Sequence, residues 1–208
     1  MTGKMKDKSE LILDAALKVF AESGFHRSQV SRIAKAAGVA DGTIYLYFRS
    51  KEELLVSVLR SRLTELVEKC RRHVMDMDHP MDALRALCTI HYSELESNRD
   101  LAKVTQIELR QSNLELRREI GQAVKPYFRL IEDVLRRGVE QRLFRSDLDI
   151  RLTRHLLFGA MDEVVTSWLL SERPYSLAAQ ADGTVDFFIR GITAGGKAAS
   201  DSERSEER

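Results

Sequence analysis

Only three prolines, Pro80, Pro126 and Pro174, occur in the 208 residues, so little stops a helix from propagating over long stretches. No segment alternates apolar and polar residues at period two over strand length, which argues against a sheet. No apolar run approaches the ~18 residues that span a bilayer, and Met1-Thr2-Gly3-Lys4 is followed by no apolar stretch of the secretory kind. These two absences point to a cytoplasmic protein with no membrane partner. Cysteine is scarce: Cys70 and Cys88 have no motif spacing and read as packed, reduced thiols. The five histidines, His26, His73, His79, His91 and His155, are scattered, and none sits at a zinc-ligand spacing, so no metal is expected. There is no nucleophile elbow and no dinucleotide fingerprint. Gly195-Gly196-Lys197 has no strand before it and is no phosphate loop. Asp162-Glu163 is the one acidic pair suggestive of acid/base work, yet adjacent acids on a helix are usually solvated or bonded to a neighbouring helix. An enzyme is therefore not expected, nor a resident cofactor.

Charge of one sign is also nearly lacking, with a formal net charge of +1. Divided along the chain it is less even. Residues 1–50 carry eight Lys and Arg against five Asp and Glu, residues 51–192 carry 22 against 23, and the tail carries three against four. The basic excess lies at the N-terminus, but it is too small to argue for nucleic acid alone.

What is present is helical periodicity almost everywhere. Leu11-Ile12, Ala15-Ala16 and Val19-Phe20 step by four until Gly24, and Leu54-Leu55, Val58-Leu59, Leu63 and Leu66-Val67 repeat the pattern. The fold class is all-α, with about nine helices. Caps and breakers place them at about 8–23, 29–36, 41–47, 51–76, 80–97, 101–111, 113–142 (bent near Pro126), 149–172 and 176–192. Ser50 and Glu53 read as a capping box, Pro80 suits a first helical turn, and Ser112-Asn113 suits a cap. From Thr193 onward the Ser/Glu/Arg tail has too little apolar content to fold. The resulting division is 1–50, 51–192 and a disordered 193–208.

Two short helices around a glycine turn are the geometry of a helix-turn-helix. Val30, Ile33, Ala34 and Ala37 supply a shallow apolar face, Gly38 supplies the turn, and Val39 and Ile44 fill the angle between the helices. The phrase Ile33-Ala34-x-x-Ala37-Gly38-Val39, then Gly42-Thr43-x-Tyr45-x-Tyr47-Phe48 and Lys51-Glu52-x-Leu54, resembles the signature of the TetR family of transcriptional regulators. Ala40 departs from it, where a capping Ser or Thr is common and where Asp41 could substitute or the helix start could shift by one. Arg32 departs too, placing a cation where an acid is common. The resemblance implies an N-terminal three-helix DNA-binding domain and a C-terminal helical domain for ligand binding and dimerisation. Recognition helices contact bases from their N-terminal residues, here Asp41, Gly42, Thr43 and Tyr45. Tyr47 and Lys51, with Ser28 and Gln29 at the start of the second helix, are placed for phosphates. Core packing is the alternative for Tyr45 and Tyr47, and the first choice for Phe48.

Three segments, His26–Phe48, Val104–Arg117 and Phe158–Leu170, narrow the resemblance to the TetR-type FadR regulators of fatty-acid degradation. That group implies a repressor released from palindromic double-stranded operator DNA by long-chain acyl-CoA as effector. An acyl-CoA needs an apolar tunnel and fixed cations. Gln106, Arg110, Asn113 and Arg117, around the sixth and seventh helices, read as its polar contacts, and Phe128 and Trp168 as apolar ones. A solvated face in which Glu108, Glu115 and Glu119 pair with the arginines is the alternative. Helices eight and nine carry more apolar surface than a peripheral pair requires and imply a homodimer through these last two helices. A cationic drug or another hydrophobic metabolite remains a rival effector if Glu94, Glu96 and Glu108 face inward.

Overall fold

The computed structural model describes residues 7–108, 110 and 113–193, and among these the secondary structure is helical, with α1 Lys8–Ser23, α2 Val30–Ala37, α3 Asp41–Tyr47, α4 Lys51–Val74, α5 Pro80–Ser97, α6 Arg99–Glu108, α7 Leu114–Glu140, α8 Ile150–Leu170 and α9 Ala181–Ile192. Each start has a local cause. Ser50 Oγ accepts from Glu53 N at 3.1 Å, while the Glu53 carboxylate reaches back to Arg49 N at 2.7 Å, one residue earlier than a strict capping box. Pro80 occupies the first turn of α5. Asn113 Oδ1 accepts from Glu115 N and Leu116 N at 2.9 and 3.0 Å, and Asp149 caps α8 through Leu152 N at 2.9 Å.

Several helices stop short of their expected ends for reasons that are not local. The α4 C-terminus closes at Val74 because the Arg137 guanidinium of α7 donates to the Val74 and Met77 carbonyls. The expected helix from 176 is split. The Glu96 carboxylate takes Leu177 N at 3.0 Å and Ala178 N at 3.1 Å, leaving a single 3-10 turn, Ala178–Gln180, ahead of α9. The α7 helix runs through Pro126 as one element. The expected tail begins later than Thr193, which still bridges Phe144 while Arg145 N donates to Ile192 O at 2.9 Å. The remainder of that expected tail, 194–208, lies outside the described residues.

Helix α4 is the spine. Its 24 residues span about 36 Å, and it buries Leu54, Leu55, Val58, Leu59, Leu63, Leu66 and Val67 between α1 on one side and α5 and α7 on the other. The core is therefore continuous from Ile12 and Phe20 in α1 to Val165 and Val185 near the far end. Cys70 and Cys88 are inside it, and burial pushes both thiols up to about 12, as packed rather than reactive sulfurs require.

Candidate DNA-binding surface and effector site

The first three helices form a tight unit. Gly24 ends α1 with φ +73°, its N–H bonded to Phe20 O at 2.8 Å. Gly38 ends α2 in the left-handed region, φ +69° and ψ 31°, and its N–H reaches Lys35 O at 3.3 Å while Val39 N reaches Ala34 O at 3.0 Å. That paired closure needs a residue without a Cβ at Gly38 and sets the angle at which α3 leaves. Ile44 and Phe48, one turn apart, anchor α3 inward. Helix α3 starts at Asp41 with Ala40 at the cap position and no side-chain cap bond, so Asp41 does not replace the missing Ser or Thr.

With Ile44 and Phe48 inward, the opposite face of α3 is outward. Asp41, Gly42 and Tyr45 are exposed, Tyr47 is 42% exposed, and Thr43 is half-buried. Leu46, at 83% exposure, is the most exposed large apolar side chain of the described residues, and sequence reasoning passed over it. The signal was available: positions 44 and 48 are one turn apart and inward, which leaves 46 on the outer face. A leucine there suits thymine methyls or sugar edges.

Two expected phosphate contacts are corrected. Ser28 is 4% exposed and its Oγ donates to Phe25 O at 2.7 Å, so its hydroxyl is turned into the α1–α2 loop. Lys51 is also drawn inward. Its Nζ donates to Phe25 O, Ser28 O and His26 O at 2.9, 3.1 and 3.3 Å and lies 4.6 Å from the Phe25 ring centre. An ammonium with three protons on three carbonyls positions the loop rather than a phosphate. Gln29, exposed at the start of α2 with its side chain making no cap bond, stays on the outer surface. Arg32 is paired with Glu22 and Ser23 Oγ, both at 2.6 Å, which offsets its charge.

The second site lies between α4, α5, α6, α7 and α8. A mouth of about 290 Å³ is lined by Arg110, Arg117, Gly121, Phe128 and Phe158, and continues at Val124, Phe158 and Asp162 into a narrow crevice of about 20 Å³. Leu63, Leu66, Leu95 and Leu101 make the crevice apolar, with His91 and Tyr127 beside them. Tyr127 Oη lies 3.0 Å from His91 Nδ1, and burial lowers the imidazole pKa to about 4 and raises that of the phenol, so both are neutral near pH 7.

A polar ladder frames the mouth. Thr166 Oγ1 donates to Gln106 Oε1 at 2.7 Å, Gln106 Nε2 donates to Asp162 Oδ1 at 2.9 Å, and Arg110 pairs with the other Asp162 oxygen. Asp162 is thus bonded to a neighbouring helix rather than poised for acid/base work. Arg154, absent from the sequence reading, is 7% exposed, pairs with Glu132 at 3.2 Å and lies 4.4 Å from the centre of the Phe128 ring.

The structure brings Gln106, Arg110, Arg117 and Phe128 together, but not Asn113 or Trp168. Asn113 is engaged in capping α7 and lines a different groove, together with Arg49 of the α3–α4 junction and Arg60 of α4. Trp168 is 8% exposed, donates from Nε1 to Tyr175 O at 3.1 Å and is covered by the Arg99 guanidinium, away from the mouth. Glu108 also departs from expectation. It is buried, and its Oε1 accepts from Phe25 N at 3.0 Å, joining α6 to the loop that Lys51 holds. Among the described residues no cluster of His, Cys, Asp or Glu could hold a metal ion, and no helix is long and apolar enough to cross a membrane.

A three-helix unit that shows one face of α3, the second helix of its helix-turn-helix, and is joined by α4 to a helical body with a cation-lined mouth, defines a DNA-binding regulator of two parts. Residues 12–58 match the bacterial regulatory proteins of the tetR family, and residues 59–191 match the C-terminal region of YsiA-like protein; the chain belongs to the tetR family, whose members are transcriptional regulators rather than enzymes. It is 41% identical over 181 residues to the fatty acid metabolism regulator protein of Bacillus subtilis, covering 87% of this chain and 93% of that one. The crystal structure of the transcriptional regulator FadR from Bacillus subtilis in complex with stearoyl-CoA is similar, with TM-score 0.85 and 40% identity over 88% of this chain and 98% of that one. The fatty acid degradation regulator FadR from Bacillus halodurans matches with TM-score 0.84 and 42% identity, covering 88% and 98%.

Proposed function

We propose that this protein is a cytoplasmic, homodimeric repressor of fatty-acid-degradation genes that binds a palindromic operator and is released from it by long-chain acyl-CoA. The observation that carries this reading is the pairing of the Arg110 and Arg117 mouth with an apolar crevice, in a chain similar to a FadR that binds stearoyl-CoA. The guanidinium groups suit the nucleotide phosphates and the crevice suits the acyl chain. The carboxylates that a rival cationic ligand would need are already engaged, Asp162 of the mouth by Arg110 and Gln106. Glu94 is paired with Lys69 at 2.5 Å, Glu96 caps the 3-10 turn, and Glu108 holds Phe25.

The division at residue 50 gives the operator-binding part to Gln29, Asp41, Gly42, Thr43, Tyr45 and Tyr47, with Leu46 added and with Ser28 and Lys51 holding the loop behind them. One seven-residue recognition helix makes few contacts, so two-fold pairing on half-sites about 34–36 Å apart is required for operator affinity. Leu152, Leu156, Leu170 and Phe187 are 54–78% exposed on α8 and α9, a surface that suits a second copy.

The crevice is far smaller than an acyl chain, so ligand entry must part its walls. Arg62, which lines it, is bonded to Asp14 of α1 at 2.5 Å, and Glu108 on α6 is bonded to the loop after α1. Moving either wall strains a tether to the DNA-binding unit, and the ligand shifts the equilibrium by its differential affinity for the two arrangements.

Calorimetry with acyl-CoAs of several lengths, against free CoA and free fatty acid, tests the reading. Binding should require both the chain and the nucleotide, and should weaken at least tenfold in the Arg110→Ala, Arg117→Ala double variant while operator affinity holds. No binding at any length discards the fatty-acid effector and leaves a regulator of another ligand.

A further inference from the structure

The crevice is mainly apolar, and its polar lining residues Arg62, Thr105, Gln106 and Asp162 are bonded to other protein groups, whereas the His91–Tyr127 pair is only half satisfied. Tyr127 Oη lies 3.0 Å from His91 Nδ1, with the rings stacked at 5.4 Å, and the hydroxyl has no other partner among the described residues. Its proton is therefore satisfied only if it donates to Nδ1. That donation sets the tautomer: the remaining imidazole proton sits on Nε2. Among the described residues no atom accepts from Nε2, yet His91 is 7% exposed and no buried side-chain nitrogen or oxygen among them lacks a partner. Nε2 is thus not sealed in the core, and the space beside it is the crevice. A donor without an acceptor faces the place where a ligand would lie.

Its depth indicates which part of the ligand it meets. Phe158 lines both mouth and crevice, with its ring centre 4.9 Å from Phe128 at the mouth and 6.5 Å from His91. His91 is one ring deeper than the mouth. With phosphates at Arg110 and Arg117, the pantetheine arm runs inward past Phe128, and the thioester arrives before the alkyl chain continues along Leu63, Leu66 and Leu95. Alkyl carbons offer no acceptor, the two pantetheine amides lie nearer the phosphates, and the thioester carbonyl is the last acceptor before the chain.

We infer that His91, held in one tautomer by Tyr127, donates from Nε2 to the thioester carbonyl of the bound acyl-CoA and makes the site selective for thioesters. This rests on the acyl-CoA reading above, and it assigns His91 as a specificity residue and Tyr127 as the residue that positions it.

The test compares palmitoyl-CoA with S-hexadecyl-CoA, the thioether that differs by the missing carbonyl oxygen, by calorimetry on the full-length protein. The wild type should prefer the thioester by about tenfold, since the thioether leaves Nε2–H buried without a partner. In His91→Leu the preference should vanish, mainly through weaker thioester binding. In Tyr127→Phe, which removes the tautomer lock and keeps the aromatic ring, it should fall severalfold with an unchanged circular dichroism spectrum. This second variant keeps the question open to test if His91→Leu does not fold. Equal wild-type affinity for the two ligands overturns the inference and leaves the acyl-CoA reading standing. A preference that survives in both variants also overturns it, because another group then reads the carbonyl. Binding of neither ligand to the wild type overturns the acyl-CoA reading itself.

Discussion

Gly42 stands at the exposed start of α3 with no atom within 4 Å of where a Cβ would sit. Nothing inside the protein demands glycine there, and in a helix it costs about 0.5–1 kcal/mol relative to alanine. On the proposed operator reading, a residue that weakens its own helix without a packing reason suits close approach of DNA to the backbone. Gly42→Ala should therefore raise the melting temperature by a few degrees while lowering operator affinity at least tenfold in fluorescence anisotropy. A variant both more stable and equally tight would move the base contacts toward Tyr45 and Leu46. Ser28 and Lys51 illustrate the opposite case. Both have the chemistry of a phosphate ligand, and both are used by the α1–α2 loop instead.

Between α7 and α8 the chain turns back on its own helix end. Leu143 N and Phe144 N both donate to Gly138 O at 2.9 Å, and Phe144, 1% exposed, lies against the Gly138 backbone. A Cβ at 138 would stand 2.0 Å from the Phe144 ring, a clash that requires the ring or the whole turn to move. Gly138→Ala should destabilise by about 1–3 kcal/mol in urea unfolding, and Phe144→Leu in the same chain should recover part of that loss. An alanine tolerated without cost would mean that this turn repacks freely. The same turn carries the bridge to Thr193, so it also secures the end of α9, the helix that carries Phe187 on its outer face.

At the scale of the whole molecule, polar contacts among the described residues tie the first three helices to the helical body at Arg62, Glu108 and Lys51. Arg62 of α4 bonds Asp14 at 2.5 Å, Glu108 of α6 bonds Phe25 N at 3.0 Å, and Lys51 gathers three carbonyls of the intervening loop. The first two leave from helices that line the crevice or its mouth, which suits them, on the proposed reading, to couple effector binding to operator geometry. Glu108→Ala should leave acyl-CoA affinity within about threefold and preserve operator binding, yet blunt release: at saturating acyl-CoA a large fraction of the DNA should stay bound in a mobility-shift titration. Full release in that variant would route the coupling through α4 and Arg62 instead. Sedimentation of the free protein addresses the dimer, which should persist below micromolar concentration and dissociate in Phe187→Glu.

The helices and the helix-turn-helix were legible in the sequence because their causes are local. Four-residue apolar steps, Gly24 and Gly38 at positive φ, the Ser50 cap and Pro80 in a first turn all act within a few residues of one another. That Arg110 and Arg117 share one pocket was expected for a related reason: they lie on either side of one helix junction, where free backbone N–H groups favour an anion. Where polar side chains spend their hydrogen bonds was not legible. Glu108 and Phe25 are 83 residues apart, Gln106 and Asp162 are 56 apart, and Trp168 is drawn under Arg99 from 69 positions away. A carboxylate or an ammonium buried by tertiary packing must take whichever partner the fold brings within about 3 Å. The sequence by itself determined that this chain is helical and reads as a DNA-binding regulator. Only the tertiary structure decided which cations line the mouth, as Arg110 and Arg117 do, and which hold the two parts together, as Arg62 and Lys51 do.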